Sequence, residues 1–549
     1  MNWPVNWILA FLNTPAGTYC TEQHLFHLLP ELAILITLSV GFWLASASTE
    51  MERQSVWRLS FWGLFFALML ATGDFFLTHT DRATGALYPQ AVSVPVLFDM
   101  IRADLLFSLS RIVLYFGSML VVLFARYFVQ QSSPSHGEFP LIILGATLGA
   151  VLMTGANDLI MMFVALETLG ISSFILSGYF RNDAKSAEAS LKYLLYGGAA
   201  TAVMLFGMSL LYGLSGGFTQ FPLVAQGLAQ WNHTQFLPVM VIATVLMLAG
   251  FAFKLSAAPF HQWAPDVYDG SPVPVTAFLS VISKLGAFVL LIRVVTLLLG
   301  TLAPGMVGLG GVTTSVLSGL FAVMAITSMV VGNLAALRQS SVKRLMAYST
   351  IAHVGYILLA FVVLQQAAYA TALFYLVAYV FMNLGAFAII TLVSQETGRD
   401  DINAYAGLIH KKPLMTLALS IFLLSLAGIP ITSGFFAKFF LFQTVFKANP
   451  ATLGLIVLAL LNSTVSLYYY INLIRLMVIA EPSAAVAALP RKVQWLTAGP
   501  VVAVVMVCVW VTLGMGIYAE PVLGLARVAL AQVGTAAASS NILFLSALH

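Results

Sequence analysis

Apolar segments of membrane-spanning length recur along this chain, and few folds can accommodate them. A helix needs about 20 mainly apolar residues to cross a bilayer, and about 14 segments meet that length. They lie near 25–47, 57–78, 105–126, 139–156, 158–180, 189–214, 237–260, 272–299, 312–336, 342–364, 367–394, 413–447, 451–479 and 493–518. Backbone groups in lipid must find hydrogen-bond partners within the protein, so these segments have to be helical. The sequence therefore predicts an all-α polytopic membrane protein whose first partner is the lipid bilayer.

The composition agrees and excludes several functions. Only 8% of the residues are charged, whereas soluble proteins carry about 25%. The two cysteines, Cys20 and Cys508, are too few for an iron–sulfur cluster, which takes about four protein ligands. No glycine-rich nucleotide motif and no pair of metal-ligating histidines stands out, and a net charge of +4 is too small to indicate nucleic acid. We expect no cofactor and no metal on this chain.

Basic residues in the loops predict the orientation. Most of them fall in odd-numbered loops or at their edges, including the groups within 181–192 and 338–344. Positive charge stays on the cytoplasmic side of a membrane. Both termini are therefore expected on the periplasmic or lumenal side.

Two similar stretches predict an internal repeat. LAGFAFKLSAAPFHQW in helix 7 resembles LAGIPITSGFFAKFFLF in helix 12. Because the helices are five apart, the second copy enters the membrane from the opposite face, as in transporters with inverted repeats and broken helices. We expect repeats at 139–299 (helices 4–8) and 312–479 (helices 9–13), flanked by 1–138 and 480–549.

Five ionisable residues lie deep inside predicted helices, namely Glu167, Lys254, Lys284, His353 and Lys438. Each such group costs at least ~2.5–3.5 kcal/mol at that depth. Ion pairing that only holds helices together, such as Glu167 with one lysine, is one explanation. It leaves surplus lysines, and a lysine without a full-time partner can lose and regain its proton, as a proton relay requires.

Three arginines and two prolines in the spans could also have purely structural roles. Arg111, Arg293 and Arg475 lie near span ends, so snorkelling to the interface is expected. Pro259 and Pro430 each interrupt a helix and free carbonyls in the membrane. A packing kink would explain either proline alone. Breaks at matching repeat positions, each with a lysine nearby, favour a functional site that water can reach.

Four stretches resemble the antiporter-like membrane subunits of respiratory complex I. They are ALETLGISSFILSGYFRNDAKSAEASLKYLLYGGA, FKLSAAPFHQWAPDVYDGSPVPVTAFLSVISKLGAF, QSSVKRLMAYSTIAHVGYILLA and LAGIPITSGFFAKFFLF. Within that family the chain is similar to the subunit N (subunit 2) group, and LLYGLSGGFTQF, FMNLGAFAIITLVSQETGRDDINAYAGL and SLYYYINLIRLMVIAEP indicate its cyanobacterial and plastid branch. The resemblance covers about residues 25–480 and leaves 1–24, 79–104 and the tail after 520 unmatched.

The resemblance implies a 14-helix fold with the same two inverted repeats. It implies a proton relay in which Glu167 is the helix-5 glutamate, Lys254 the lysine of broken helix 7, Lys284 that of helix 8 and Lys438 that of helix 12. His353 matches a helix-10 position that varies in the family. Protons would be the transported species. Iron–sulfur clusters, flavin or quinone would belong to partner subunits, and further antiporter-like subunits would be neighbours in the membrane arm.

Several functions stay open on the residues alone. The first is a proton-translocating, non-redox subunit of a type I NAD(P)H- or ferredoxin-dependent quinone oxidoreductase. The others are an Mrp-type cation/proton antiporter subunit, the membrane subunit of an energy-converting hydrogenase, and a structural scaffold. The subunit N signatures favour the first, and the lysines beside helix breaks argue against the scaffold. The membrane would be a bacterial plasma membrane or a thylakoid membrane.

Overall fold

The structure, a computed structural model, describes residues 26–46, 50–80, 93–132, 137–229, 233–299, 310–489 and 495–547. Its helices are α1 Leu29–Ala45, α2 Glu50–His79, α3 Leu105–Ser132, α4 Glu138–Gly155, α5 Leu159–Ser177, α6 Ala184–Leu214, α7 Phe221–Ala229, α8 His233–Leu255, α9 Trp263–Gly270, α10 Val273–Arg293, α11 Gly310–Ala336, α12 Val342–Val362, α13 Gln366–Thr397, α14 Pro413–Ala427, α15 Ser433–Ala448, α16 Leu453–Ile479, α17 Ala484–Ala487, α18 Trp495–Ile517 and α19 Glu520–Ala547. A π-helical turn, Val294–Leu299, extends α10.

The helices confirm the predicted fold class. In the described part of the chain, 12 helices are long and apolar enough to cross a membrane. The two remaining predicted spans are also helical, because α1 is a shorter apolar helix and the segment 413–447 forms α14 and α15 around a break. Each predicted span therefore coincides with a helix or a broken helix. The chain ends at 1–25 and 548–549, on which the orientation prediction bears, lie outside the described residues, as does Cys20.

Three helices form the centre of the bundle. The most apolar window of α10 is 100% buried, and those of α12 and α13 are each 94% buried. A helix that is apolar on all sides has no face suited to water, so it packs in the interior. In the peripheral helices α2, α6 and α16 only about a third or less of the same window is buried. Polar residues on the three central helices are consequently shielded from lipid on every side.

The first predicted break lies between α8 and α9. Helix α8 ends at Leu255, four residues before Pro259. Proline has no N–H to donate to the carbonyl four residues earlier, and here that carbonyl belongs to Leu255. Ser256 continues the chain with a left-handed φ of 62°. The second repeat supplies part of the missing hydrogen bonding, because the N–H of Ala258 donates to Ser328 Oγ of α11 at 2.8 Å.

The second predicted break, between α14 and α15, is built differently. Pro430 leaves the carbonyl of Leu426 without its helical donor. Lys438 Nζ donates to that oxygen at 3.1 Å and to the carbonyl of Ala427 at 2.9 Å. Lys254 precedes its break, whereas Lys438 follows its own. The breaks therefore match between the repeats, but their lysines lie on opposite sides of them.

The chain pairs with itself in the same way in both repeats. Asp158, before α5, forms an antiparallel bridge with Gln220, after α6. Ser341, before α12, forms the same bridge with Asp401, after α13. In each case the bridging side chain also caps the following helix. Five crossings separate α5 from α12, so the two bridges lie at opposite faces of the membrane, as an inverted repeat requires. The domain boundaries at 138, 299 and 480 stay predictions.

The expected snorkelling of two arginines is wrong. Arg111 and Arg293 are fully buried. Arg293 donates from both terminal nitrogens to Asp104, at 2.9 and 2.6 Å, and Arg111 pairs with Asp74. Each acid lies on or beside a different helix from its arginine, so spacing along one helix could not reveal the pairs. Arg475 is exposed, which agrees with the expectation.

Three further elements carried no sequence expectation. A short hairpin pairs β1 Val94–Val96 with β2 Ile101–Ala103. Helix α7 follows the bridge at Gln220, and α19 follows α18 and packs against α3, α7 and α13. Helix α19 buries Leu523, Ala526 and Leu530 at helical spacing and exposes Arg527. It therefore covers one end of the bundle as an amphipathic helix.

Candidate functional site

Lys254 of α8 reaches toward the face of α5 that carries Glu167. The Lys254 side chain is 5% exposed, and its Nζ lies 3.8 Å from where a Cβ on Gly170 would be. Gly170 lies one turn after Glu167 on the same face of α5. The charged atoms of Lys254 and Glu167 are nevertheless not within the 4.0 Å of an ion pair. The two groups are therefore neighbours without a direct ion pair.

Glu167 is only half-buried. Its Oε1 accepts a hydrogen bond from Thr201 Oγ1 of α6 at 2.8 Å. On the outer face of the same helix, Ile160, Val164 and Ile171 are 46–53% exposed. If this apolar face contacted lipid, the half-buried carboxylate beside it would be energetically unfavourable. The sequence could not show this, because burial by a neighbouring helix depends on packing.

Lys284 lies in the most enclosed helix, α10, and is 1% exposed. Its Nζ donates to Ser256 Oγ at 3.0 Å and lies 5.8 Å from the centre of the Trp263 ring. Ser256 is the first residue of the break and comes two residues after Lys254. The break therefore brings a hydroxyl to Lys284 two residues after Lys254.

Hydroxyl and amide groups continue from Lys284 into the second repeat. Ser280 lies one turn before Lys284, and Asn383 Nδ2 of α13 donates to its Oγ at 3.0 Å. The same amide donates to Tyr379 OH at 3.0 Å, and Tyr379 OH donates to Thr350 Oγ1 of α12 at 2.9 Å. Asn383 Oδ1 is buried without a partner among the described residues, so an acceptor is free at this point.

His353 lies one turn beyond Thr350, inside a cluster of tyrosines. Its Nδ1 is 2.8 Å from Tyr375 OH, and its Nε2 is 3.5 Å from Tyr470 OH. The Tyr379 ring lies 5.1 Å away, centre to centre. All of these side chains are buried. Because a tyrosine hydroxyl both donates and accepts, it can pass a hydrogen bond in either direction.

Lys438 marks the far end of the same polar region. Besides its two carbonyl partners, its Nζ donates to Ser463 Oγ at 2.9 Å and lies 5.0 Å from the centre of the Tyr356 ring. Tyr356 OH accepts from Asn333 Nδ2 at 3.1 Å, and Asn333 Oδ1 accepts from Tyr469 OH at 3.2 Å. These side chains come from α11, α12, α15 and α16, so the region joins four helices of the second repeat.

The structure brings the five predicted residues into one polar band but does not pair them. Among the described residues, no acid lies within 4.0 Å of Lys254, Lys284 or Lys438. The alternative of ion pairs that only hold helices together is therefore wrong for the three lysines. Lys284 and Lys438 are bonded instead to hydroxyl and carbonyl oxygens, which can stay bonded whether or not the lysine is charged.

Sequence reasoning missed the polar side chains between the charged ones. They are Ser256, Ser280, Asn333, Thr350, Tyr356, Tyr375, Tyr379, Asn383, Ser463, Tyr469 and Tyr470. The run SLYYYINL supplies two of them, Tyr469 and Tyr470, and the hydroxyl of a buried tyrosine usually finds a hydrogen-bond partner.

Charged groups at one end of the bundle tie the first break to the second repeat. Asp266 of α9 accepts from Lys192 Nζ of α6 at 2.6 Å and from Arg344 of α12 at 2.7 Å. Partial burial raises the pKa of Asp266, but these two hydrogen bonds outweigh it and lower the pKa below the usual range. The neighbouring Asp269 accepts from Ser341 Oγ at 2.6 Å. The short helix after the break is thus held to both repeats.

Comparison with known proteins adds relatives over most of the chain. The family described as NADH:quinone oxidoreductase/Mrp antiporter, transmembrane, matches residues 156–464, which contain all five predicted residues. NAD(P)H-quinone oxidoreductase subunit 2 of Thermosynechococcus vestitus is 42% identical over 91% of this chain and 92% of its own length. Subunit 2 of Synechococcus elongatus is 46% identical over 76% of this chain and 77% of its own length.

Solved structures share the architecture. A chain of respiratory complex I from Thermus thermophilus, determined with bound aureothin, aligns with a TM-score of 0.71 and 30% identity, over 91% of this chain and 100% of that chain. A chain of the Mrp complex from Dietzia aligns with a TM-score of 0.76 and 20% identity, over 93% and 98%. At 20% identity the second likeness concerns the fold alone.

Replacing Gly428 should disturb Lys438 directly. Gly428 has a left-handed φ of 91°, and an added Cβ would lie 3.1 Å from Lys438 Cδ and 3.3 Å from its Nζ. Gly428→Ala should therefore lose about 1–2 kcal/mol from backbone strain, and more from weakened charged hydrogen bonds, each of which contributes about 1.5–3 kcal/mol. The free energy of unfolding of the purified assembly measures the change.

Gly398→Ala is the matched control. Gly398 has a φ of 65°, and an added Cβ there would meet nothing within 4 Å. It should show the backbone strain alone. Equal losses in the two variants would mean that Gly428 does not position Lys438.

Proposed function

This chain belongs to the NADH:quinone oxidoreductase/Mrp antiporter family, and we propose that it works there as subunit 2, a proton-translocating, non-redox membrane subunit of an NAD(P)H-quinone oxidoreductase. Its relatives at 42–46% identity are subunits of that enzyme. The observation that carries the relay is the band of enclosed lysines, histidine and hydroxyls, in which no lysine has an acid within 4.0 Å.

The first step of the proposed relay lies at the first break. Lys254 is charged most easily when the Glu167 carboxylate approaches, because an opposite charge stabilises the ammonium form. When that carboxylate moves away, the ammonium becomes the less stable form, and Lys254 releases its proton toward Ser256. Ser256 Oγ already accepts a hydrogen bond from Lys284, so the proton passes to Lys284 once that lysine is neutral.

The second step crosses between repeats in the plane of the membrane. The proton leaves Lys284 in the direction of His353, and the hydroxyl and amide groups between Ser280 and Thr350 would stabilise it as it crosses. His353 accepts it on one ring nitrogen and releases it from the other into the tyrosine cluster, in which Tyr356 lies beside Lys438. Lys438 holds the proton against the carbonyls of the second break until it leaves the chain. Each transfer moves one proton from a donor to a neutral acceptor, so charge is conserved.

Partner subunits are implied at the outer face of α5. The relatives are subunits of multi-subunit enzymes. Glu167 is half-buried between exposed apolar residues, so another membrane-arm subunit packed on α5 would shield its charge from lipid. We propose that this neighbour is another antiporter-like subunit, and that the complex contains further subunits of this kind. Electron-carrying cofactors would reside on other subunits.

The Mrp-type antiporter remains the second candidate. The Mrp complex of Dietzia has the same fold, but at 20% identity, whereas subunit 2 relatives reach 46%. Identity at that level over most of the chain favours the oxidoreductase. Copurification of the chain with quinone-oxidoreductase subunits, identified by mass, would distinguish the two.

The orientation gives a direct test of the proposed topology. The protein is integral to the membrane, and from the loop charges we propose that both termini lie on the periplasmic or lumenal side of a plasma or thylakoid membrane. A reporter that is active only in the cytoplasm should stay silent when fused after His549. Strong activity of that fusion would contradict the orientation.

Lys254→Met should abolish or strongly reduce proton translocation while the protein still inserts. Methionine has a similar length and removes a charge that is unfavourable in the membrane. Proton pumping is measured in vesicles that contain the intact complex, with NAD(P)H-driven quinone reduction as the second readout. Lys447→Met, which changes a lysine in the last turn of α15, is the control. An unchanged number of protons per electron in Lys254→Met would exclude the central role of Lys254.

Lys284→Arg separates fixed charge from proton transfer. Arginine keeps the positive charge but does not release its proton. The variant should therefore pump at least about tenfold more slowly, a change equivalent to about 1.4 kcal/mol in the barrier. It should be nearly as impaired as Lys284→Ala. Full pumping with arginine would show that a fixed charge suffices.

A further inference from the structure

A second group of buried charges lies outside the relay, in the three helices α1, α2 and α3. Asp74 and Arg111 pair at its centre, and both are at most 2% exposed. Glu31 Oε1 lies 3.6 Å from Arg111 NH1, and His27 Nδ1 lies 2.7 Å from Asp74 Oδ1. Tyr115 OH donates to Glu31 Oε1 at 3.1 Å. We call this set the N-terminal charge cluster.

The charges of the cluster do not balance without a proton. Arg111 offsets one carboxylate, and Asp74 is the one it binds directly. With His27 neutral, the charge of Glu31 would stay uncompensated at 5% side-chain exposure. An uncompensated buried charge is strongly unfavourable. One added proton, on Glu31 or on His27, makes the cluster neutral.

The hydrogen bonds show where that proton belongs. Asp74 has a full set of partners, since Thr78 Oγ1 also donates to it at 3.2 Å. Glu31 Oε2, by contrast, is buried with no partner among the described residues. Of the two groups that can hold the proton, His27 is the more accessible, with 11% side-chain exposure. It precedes α1, so it connects the interior of the cluster to the membrane face where that helix begins.

The N-terminal charge cluster lies near the membrane face at which α1 begins. Asp74 lies five residues before the end of α2 and Arg111 six residues after the start of α3, about 7–9 Å along each helix. The other titratable groups nearby are His79, which is 3.3 Å from Ser108, and the Asp104–Arg293 pair at the start of α3 and the end of α10. Asp104 and Arg293 are already paired with each other, so they do not supply the missing positive charge. His79 contacts Ser108 and not an acid of the cluster.

We propose that the N-terminal charge cluster is a proton-binding site, distinct from the relay, that exchanges one proton between Glu31 and the aqueous phase through His27. The proton arrives as hydronium, binds the imidazole, and moves to the unpartnered oxygen of Glu31. The reverse transfer releases it to the same face.

Infrared difference spectroscopy on the intact complex in membranes tests the proposal. A change of pH should produce carboxylic acid and imidazole bands that shift in D2O. In Glu31→Gln the carboxylic acid band should disappear, and the complex should still assemble, because Asp74 and Arg111 remain balanced. Glu31→Asp keeps a carboxylic acid and should retain the proton exchange with a shifted band. This variant distinguishes loss of the acid from a general folding defect. Glu520→Gln removes a carboxylate that is 66% exposed and should leave the bands unchanged.

Two further variants complete the test. His27→Gln should greatly slow the exchange seen by the same method, since it removes the exposed carrier. Lys254→Met should leave the cluster bands intact, even where it stops pumping. Bands that survive Glu31→Gln, or that vanish in Lys254→Met, would overturn the proposal, since the proton would then belong to another group or to the relay.

Discussion

A lipid bilayer offers no hydrogen-bond partners, and the protein nevertheless interrupts two of its membrane helices. The carbonyls and amides freed at each interruption must be satisfied from within. At the second break a lysine ammonium bonds the carbonyl that Pro430 leaves open. At the first, a serine of α11 takes up the amide of Ala258 and a lysine binds the first hydroxyl of the loop. The residues of each break thus hold a lysine in place, Lys438 through backbone carbonyls and Lys284 through the Ser256 hydroxyl. The other polar side chains lie around these lysines.

The central helices then decide how a charge can travel. Helices α10, α12 and α13 are almost wholly enclosed, so groups on them can exchange protons only with other side chains of the bundle and not with the lipid side. Their polar members are mainly hydroxyls and amides, which keep a hydrogen bond in either direction. Fixed ion pairs lie at the ends of these helices, as in Asp104 with Arg293, the last residue of α10. The residues proposed to exchange protons and the residues held in ion pairs therefore lie in different parts of the bundle.

Much of this could be predicted from the sequence, for physical reasons that also set the limit. Segment length and apolar character depend on the bilayer alone, so all the spans and the broken segment 413–447 were predictable. Lys284 and His353 were predictable because charge at that depth needs an explanation. The pairing of Arg293 with Asp104 was not, since the two are far apart in sequence. The hydroxyl groups around His353 were missed because tyrosine and serine are common in apolar helices and acquire meaning only through contact.

The partial exposure of Glu167 has a consequence for how this protein evolves. A carboxylate that lies at the surface of its own chain has its surroundings completed by whatever packs on α5. On the proposed arrangement, the electrostatic environment of Lys254 is encoded partly in the gene of a neighbouring subunit. Selection at this position therefore acts on a contact between two chains, and substitutions there should be tolerated only as matched pairs.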